Sequence, residues 1–459
     1  WSTTTDASGV YSAYGLPTGA YFVKTNNSGA WVDKLYVNTV CVGCTVTSGQ
    51  AVNVVQGAPT GGIDFTLDPG ASISGTVTNS GGTGLASVSV RLYNQSNSNI
   101  RTVTTSGTGT YVVSGLPAGT YFLRTSNSQG LVDLLFNNIP CPGGACTATS
   151  GTGVPVTSGQ AVTGIDFALP VGGSVTGTVR EATTGNTLSN QNVRLYNTTG
   201  TQVASVNTNA AGVFLVTGLP AGSYVSRTYN SLGYVDEVFD NQACPPMCTV
   251  TNGQAIVVTA GSTTSGINYA LDPGGQIGGR VLNAAGNVPI ANVTVNINAS
   301  SGSYLKSAAT NADGYYTVSA LPAGTYYVTT SNGLGFVNQA YPGITCLSCS
   351  GATGNAIPLA AGQSVFGIDF LLTQGGRVGG LVTDAATGAP IANARVQIYT
   401  LYGLGAGSAT TNASGQYTLG LGLPGGTYYA AVTSAGGYIL ELFDNIRSLG
   451  RSSTTGTPI

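Results

Sequence analysis

The stretch GLPTGAY at Gly15–Tyr21 returns as GLPAGTY at Gly115–Tyr121 and GLPAGSY at Gly218–Tyr224. It returns again as ALPAGTY at Ala320–Tyr326 and GLPGGTY at Gly422–Tyr428. The period is about 102 residues, long enough for each unit to bury a core of its own, so the chain reads as tandem small domains. Within the phrase, proline fixes φ and glycine permits a positive φ, which turns the chain sharply into the strand that follows.

The unit around Gly115 shows what surrounds the phrase. Ser72–Thr78, Val88–Tyr93 and Ile100–Thr105 are alternating, β-branched runs. The segment Ser106–Gly109 then precedes Tyr111–Val113, and in the other units this turn reads DASG, NAAG, NADG or NASG. Asp or Asn opening a turn that ends in Gly is tight hairpin chemistry. Thr120–Thr125, Leu131–Phe136 and Gly164–Leu169 complete seven short strands, with no segment of helical period. The expected fold is all-β: tandem seven-stranded antiparallel β-sandwich domains, arranged as a rod. The expected boundaries are a partial repeat at 1–68, full repeats at 69–170, 171–272 and 273–374, and a partial repeat at 375–459 that lacks its last strand.

The pattern (D/N)-x-x-G-x-Y/F followed by LP-x-G-x-Y resembles carboxypeptidase regulatory-like repeats and is similar to Cna-B-type repeats of bacterial surface proteins. The resemblance covers essentially the whole chain and implies a transthyretin-like (prealbumin-like) sandwich. It implies stalk, spacer or adhesive roles and no peptidase activity. Some Cna-B-type domains carry a Lys–Asn isopeptide crosslink. Here only Lys24, Lys34 and Lys306 are present, and their equivalents in other units are not lysine. A crosslink in every domain is therefore not expected.

Charged residues make up 7% of the chain, hydrophobic residues 42%, and net charge is −2. That combination is the reverse of a disordered composition, and near-zero net charge favours association. No basic patch exists to bind nucleic acid, and no apolar run is long enough to span a membrane. Histidine is absent, and there is no G-x-S-x-G elbow or phosphate loop, so no enzyme and no cofactor are expected.

The eight cysteines form four close pairs: Cys41/Cys44, Cys141/Cys146, Cys244/Cys248 and Cys346/Cys349. Each of the first four units offers two thiols and no histidine, too few for a zinc site, and the varying interval suits a loop-closing disulfide. Such disulfides pin an exposed loop and place the protein outside the reducing cytosol, as a secreted or cell-surface protein.

Asp64, Asp166 and Asp369 share the motif G-I-D-F, with Asn268 as their counterpart in another unit. Asp33, Asp133 and Asp236 follow a valine, with Asn338 as their counterpart. Acceptance of Asn at both places favours a carboxylate that takes backbone hydrogen bonds over a calcium ligand. Trp31, Leu131, Tyr234 and Phe336 occupy one equivalent place beside a turn, as a lid on the core or as an interface contact. Tyr327 and Tyr429 are candidates for an exposed aromatic stripe. Sequons at Asn26, Asn94, Asn197, Asn292, Asn298 and Asn412 leave glycans open.

The first unit begins near its third or fourth strand, and the fifth stops before a cysteine pair or a G-I-D-F strand. Two explanations compete: a window on a longer repeat protein, or neighbouring copies that complete each other by strand addition into a head-to-tail homopolymer. The expected function is structural, the shaft of an extracellular fibre or surface appendage. The alternative is an adhesin or carbohydrate-binding stalk.

Overall fold

The computed structural model describes residues 1–27, 29–144, 146–244, 248–347, 349–447 and 453–459. The chain forms two compact units. One comprises Trp1–Val179, Leu188–Arg227 and Val250–Asn268; the other comprises Arg180–Thr187, Thr228–Thr249 and Tyr269–Ile459.

In the first unit the repeat around Gly115 is complete. Its strands are β1 (Ala71–Asn79), β2 (Ser89–Tyr93), β3 (Asn99–Thr104), β4 (Thr110–Leu116) and β5 (Gly119–Ser126). They continue as β6 (Leu134–Leu135), β7 (Ile139–Pro140), β8 (Val154–Val156), β9 (Ala161–Val162) and β10 (Phe167–Leu169). One sheet runs β7-β6-β5-β2-β3, with β8 also on β5. The other centres on β1, flanked by β4 on one edge and by β9 and β10 on the other. Alternation aims Ile73, Val77, Val90, Leu92, Leu123 and Phe167 between the sheets, where each is almost wholly buried.

The second unit repeats this plan from Gly275–Asn283 to Phe370–Leu372, around a core that includes Ile277, Val295, Tyr316 and Phe370. It also holds a five-stranded sheet from Arg395–Thr400 to Ile446–Arg447 and a pair, Gly379–Leu381 with Gln416–Thr418. The all-β tandem sandwich is thus the architecture observed.

Two features differ from the sequence expectation. The turn at Ser106–Gly109 is locally closed, with Gly109 N donating to the Ser106 carbonyl at 3.0 Å. Yet β3 and β4 on either side belong to different sheets, so the turn is a corner between layers and not a hairpin within one. Second, β9 and β10 run parallel to β1, so pairing is not antiparallel throughout. Between them the G-I-D-F segment bulges away. Asp166 Oδ1 accepts from Thr76 N at 2.7 Å and from Thr76 Oγ1 at 2.9 Å, in place of the interrupted ladder. Asn268 accepts the same pair from Thr178, each at 3.0 Å, and Asp369 accepts from Arg280 N at 2.7 Å. An acceptor oxygen is all the bulge requires, which is why Asn serves as well as Asp.

The recurring phrase is the second corner, carrying the chain from β4 in one sheet to β5 in the other. Tyr121 Oη donates back to the Pro117 carbonyl at 2.8 Å. Tyr21 with Pro17, Tyr224 with Pro220, Tyr326 with Pro322 and Tyr428 with Pro424 repeat the bond at 2.6–3.0 Å. Burial pushes the Tyr121, Tyr224 and Tyr326 hydroxyls above the usual phenol range, so they remain donors. Tyr121→Phe should destabilise its repeat by about 1 kcal/mol, seen as a lower urea midpoint at unchanged slope. An unchanged midpoint would show that the bond adds nothing to the corner.

Candidate interface between successive repeats

The side chain that shapes the joint is an asparagine six residues before the recurrent aspartate. Asn127 Nδ2 donates to Asp133 Oδ1 at 2.8 Å and to the Leu131 carbonyl at 2.9 Å, while its Oδ1 accepts from Gln129 N at 2.9 Å. Asn27 with Asp33 and Trp31, Asn230 with Asp236 and Tyr234, and Asn332 with Asn338 and Phe336 make the same bonds. Thr125 Oγ1 adds a bond to Asp133 at 3.3 Å. Burial nevertheless holds the Asp133 carboxyl above its ordinary value, against the lowering effect of Asn127 and Thr125. The aspartate is therefore a fixed acceptor that folds the loop carrying Leu131.

That loop grips the linker to the next repeat. Val132 N donates to the Pro170 carbonyl at 2.9 Å, and Gly172 N donates to the Gly130 carbonyl at 3.2 Å. The first joint repeats this with Val32–Asp68 and Gly70–Ala30, the third with Val235–Asp272 and Gly274–Gly233, and the fourth with Val337–Thr373 and Gly375–Gly335. Two joints lie in each compact unit. Bridges place Trp31 opposite Pro69, Leu131 opposite Val171, Tyr234 opposite Pro273 and Phe336 opposite Gln374. These four positions thus sit beside the linkers. Trp31 is 48% exposed, whereas Leu131 and Phe336 pack in part against the cores of their own repeats.

The first residue of the recurring phrase closes the joint. A Cβ on Gly172 would lie 2.5 Å from Gly218 Cα and 2.6 Å from the Gly130 oxygen. A Cβ on Gly218 would lie 2.7 Å from the Leu131 oxygen, and one on Gly115 would lie 2.8 Å from the Trp31 oxygen. At these two joints three backbone segments meet with no space for a side chain at Gly172, Gly115 or Gly218. Gly115 and Gly218 have φ of 69° and 70°. Ala320 occupies the same left-handed region at 58°, which costs an L-residue free energy. Ala320→Gly should raise the stability of its repeat by about 1 kcal/mol, checked by thermal melting. A fall in melting temperature would mean that the alanine methyl makes compensating contacts.

The cysteine loop is the other side of the joint. Cys41–Cys44, Cys141–Cys146, Cys244–Cys248 and Cys346–Cys349 are disulfide-bonded. In each, the first cysteine amide donates to the backbone carbonyl of Asp33, Asp133, Asp236 or Asn338. Cys141 joins Tyr93, Leu135 and Ala148 in a small second core outside the sheet. Arg124 lies over the Tyr93 ring at 5.2 Å and donates to the Gly144 carbonyl at 2.7 Å. So short a bridge contributes about 2 kcal/mol by chain entropy.

The loop is not simply the exposed segment expected from the sequence. Val42 packs against the core of the second repeat and Leu347 against that of the fifth, while a Cβ on Gly143 would lie 3.1 Å from Ala204 Cα. The counterpart in the third repeat, Pro245, lies outside the described residues. Sequence reasoning missed these contacts and the asparagine. The latter had a legible signal in the fixed spacing of Asn27/Asp33, Asn127/Asp133 and Asn230/Asp236.

Among the described residues, no group of three or more Cys, Asp or Glu side chains converges as a metal set, and no helix is long and apolar enough to cross a membrane. Of the sequon asparagines, Asn298 is 5% exposed. Asn94, Asn197 and Asn412 cap turns through Oδ1. Tyr327 and Tyr429 are half-buried.

The sequence matches the carboxypeptidase regulatory-like domain family at residues 72–170, 174–271, 276–363 and 377–442. No curated protein matches it. Among solved structures, the TIE protein of Bacillus anthracis is similar at 16% identity, covering 80% of this chain and 66% of its own, with a TM-score of 0.20. A streptococcal ancillary pilin is 12% identical over 66% of this chain and 99% of its own, with a TM-score of 0.25. BcpA, the major pilin subunit of Bacillus cereus, is 11% identical over the same shares, with a TM-score of 0.17.

Proposed function

The chain belongs to the carboxypeptidase regulatory-like domain family, and we propose that it is a non-enzymatic structural protein, the repeating shaft segment of an extracellular fibre or surface appendage. We take the repeats as 1–68, 69–170, 171–272, 273–374 and 375–459. The observation that carries this reading is the joint. The same backbone hydrogen bonds tie each linker to the repeat before it, and a close contact between a linker glycine and the backbone of Gly115, Gly218, Ala320 or Gly422 seats the next repeat's corner. Joints that share one set of backbone bonds suit a chain that holds successive domains in fixed register under load. Disulfide-clamped loops suit an oxidising, secreted or cell-surface location. Because the same backbone bonds recur at four successive joints, the same geometry can set one copy after another, head to tail into a homopolymer, with strand addition as one means of closure.

Electron microscopy of the native material tests this. Ordered filaments with an axial repeat matching the domains are expected, and monodisperse particles that bind glycans would sink it. A second reading, adhesion, is favoured by one observation. The turn Leu401–Leu404 exposes Leu401, Tyr402 and Leu404 at 52%, 85% and 63%, where other repeats carry polar turns such as Gln95–Ser98.

A further inference from the structure

At the linker between the third and fourth repeats, two carboxylates stand where other repeats carry a matched pair. The pair is formed by the residue after the recurrent Asp or Asn and by a linker residue. In the first repeat, Lys34 Nζ lies 2.9 Å from Asp68 Oδ2 and donates to the Thr66 carbonyl at 2.6 Å. In the second, the same positions hold Leu134 and Pro170, apolar with apolar. In the fourth they hold Gln339 and Thr373, and Gln339 Nε2 donates to the Leu371 carbonyl at 2.9 Å.

The third repeat holds Glu237 and Asp272. Glu237 is 5% exposed, and its Oε2 has no hydrogen-bond partner. Asp272, Asp240 and Asp236 all act on it electrostatically. Asp272 is tied into the joint through its own carbonyl, which accepts from Val235 N at 2.9 Å. Asp236 is already committed, its Oδ1 accepting from Asn230 N, Asn230 Nδ2 and Thr228 Oγ1. A buried, unpartnered carboxylate beside other carboxylates is costly without a counter-charge.

We propose that Glu237 and Asp272, with the Ala270 carbonyl, bind a hard divalent cation of the calcium class at the place the Lys34 ammonium fills in the first repeat. Three observations converge. The linker carboxylate is retained from Asp68 to Asp272 while its built-in cation is replaced by a second carboxylate. The counterparts of the Ala270 carbonyl, those of Thr66 and Leu371, each accept a donor from the paired side chain. The donor set is all oxygen, two carboxylates and a carbonyl, with water left to complete the shell, as a calcium-class ion requires. The cation ties the third repeat's loop to the linker, as Lys34 and Asp68 tie the first.

Calcium chloride titrated calorimetrically into the full chain at pH 8 tests the site, beside Glu237→Lys, which copies the first repeat, and Glu237→Gln, which copies the fourth. A saturable site is expected in the parent chain, with affinity at least tenfold lower in both variants. Calcium should also slow hydrogen exchange at the Val235 and Gly274 amides in the parent chain alone. Equal binding by all three chains overturns the proposal. So does absence of binding in the parent with Val235 and Gly274 protection falling as pH rises from 5 to 8, the behaviour of a carboxyl that holds a proton instead. Circular dichroism of each variant separates loss of the site from loss of the fold.

Discussion

Gly75→Ala is expected to destabilise its repeat by about 3 kcal/mol or more, the upper range for a side chain forced into filled space. Gly75 lies in β1 where the parallel partner breaks between β9 and β10, and a Cβ there would overlap the Ile165 carbonyl oxygen. The obstacle is backbone, and it is held: Ile165 N donates to the Ser74 carbonyl at 3.1 Å, and its own carbonyl accepts from Tyr111 Oη at 2.6 Å. No flexible side chain can yield. The control is Gly107→Ala, whose Cβ meets nothing within 4 Å and whose φ is not in the left-handed region. It should be neutral or stabilising by up to ~1 kcal/mol, through the unfolded chain. Equal urea midpoints for the two variants would refute this account of the bulge. Gly177 and Gly279 meet the Ile267 and Ile368 carbonyls in the same way, so the effect should recur in each full repeat.

Gly172→Ala should act differently, by uncoupling neighbours and leaving each sandwich folded. Its added Cβ would meet the backbone of Gly218 and Gly130, and the bond from Gly172 N to the Gly130 carbonyl would be lost. In a linear array the loss falls on the nearest-neighbour interface, here about 2 kcal/mol. Hydrogen exchange separates this from global destabilisation. The amides of Val132 and of the substituted position should lose protection in the variant, while amides of β2 and β5 keep theirs. Parent-like protection at Val132 would show that the linker contacts are incidental to the joint.

The recurring phrase was legible because its bonds are local. Pro117 and Tyr121 are four residues apart, so a sequence pattern can encode both ends of that hydrogen bond. Asn127 and Asp133 are six apart, and each cysteine pair is separated by three to five residues. The alternation of Val90 and Leu92, or of Ile73 and Val77, likewise follows from the two-residue period of a strand. The strand directions were less legible. Nothing in Phe167–Leu169 distinguishes a parallel from an antiparallel neighbour, because both leave one face buried and alternating. Its partner, Val77–Asn79, lies about ninety residues earlier, and only closure of the sandwich selects it.

The joint lay further from view for a related reason. Its contacts are backbone to backbone, and backbone groups are the same in every residue, so they mark the sequence only where a side chain is forbidden. Gly70, Gly172, Gly274 and Gly375 are that mark, and among so many glycines they do not stand out. The role of the Val42 and Leu347 loops depends on which repeat lies against them, and composition does not encode that. By itself, then, the sequence determined what each repeat is made of: its strands, its turns and its clamped loop, all settled by neighbours a few residues apart. Only the tertiary structure decided how β9 and β10 meet β1, how one repeat seats on the next, and why Glu237 lies beside Asp272. Those outcomes rest on groups brought together by folding, whose steric and electrostatic terms do not exist until the chain has closed.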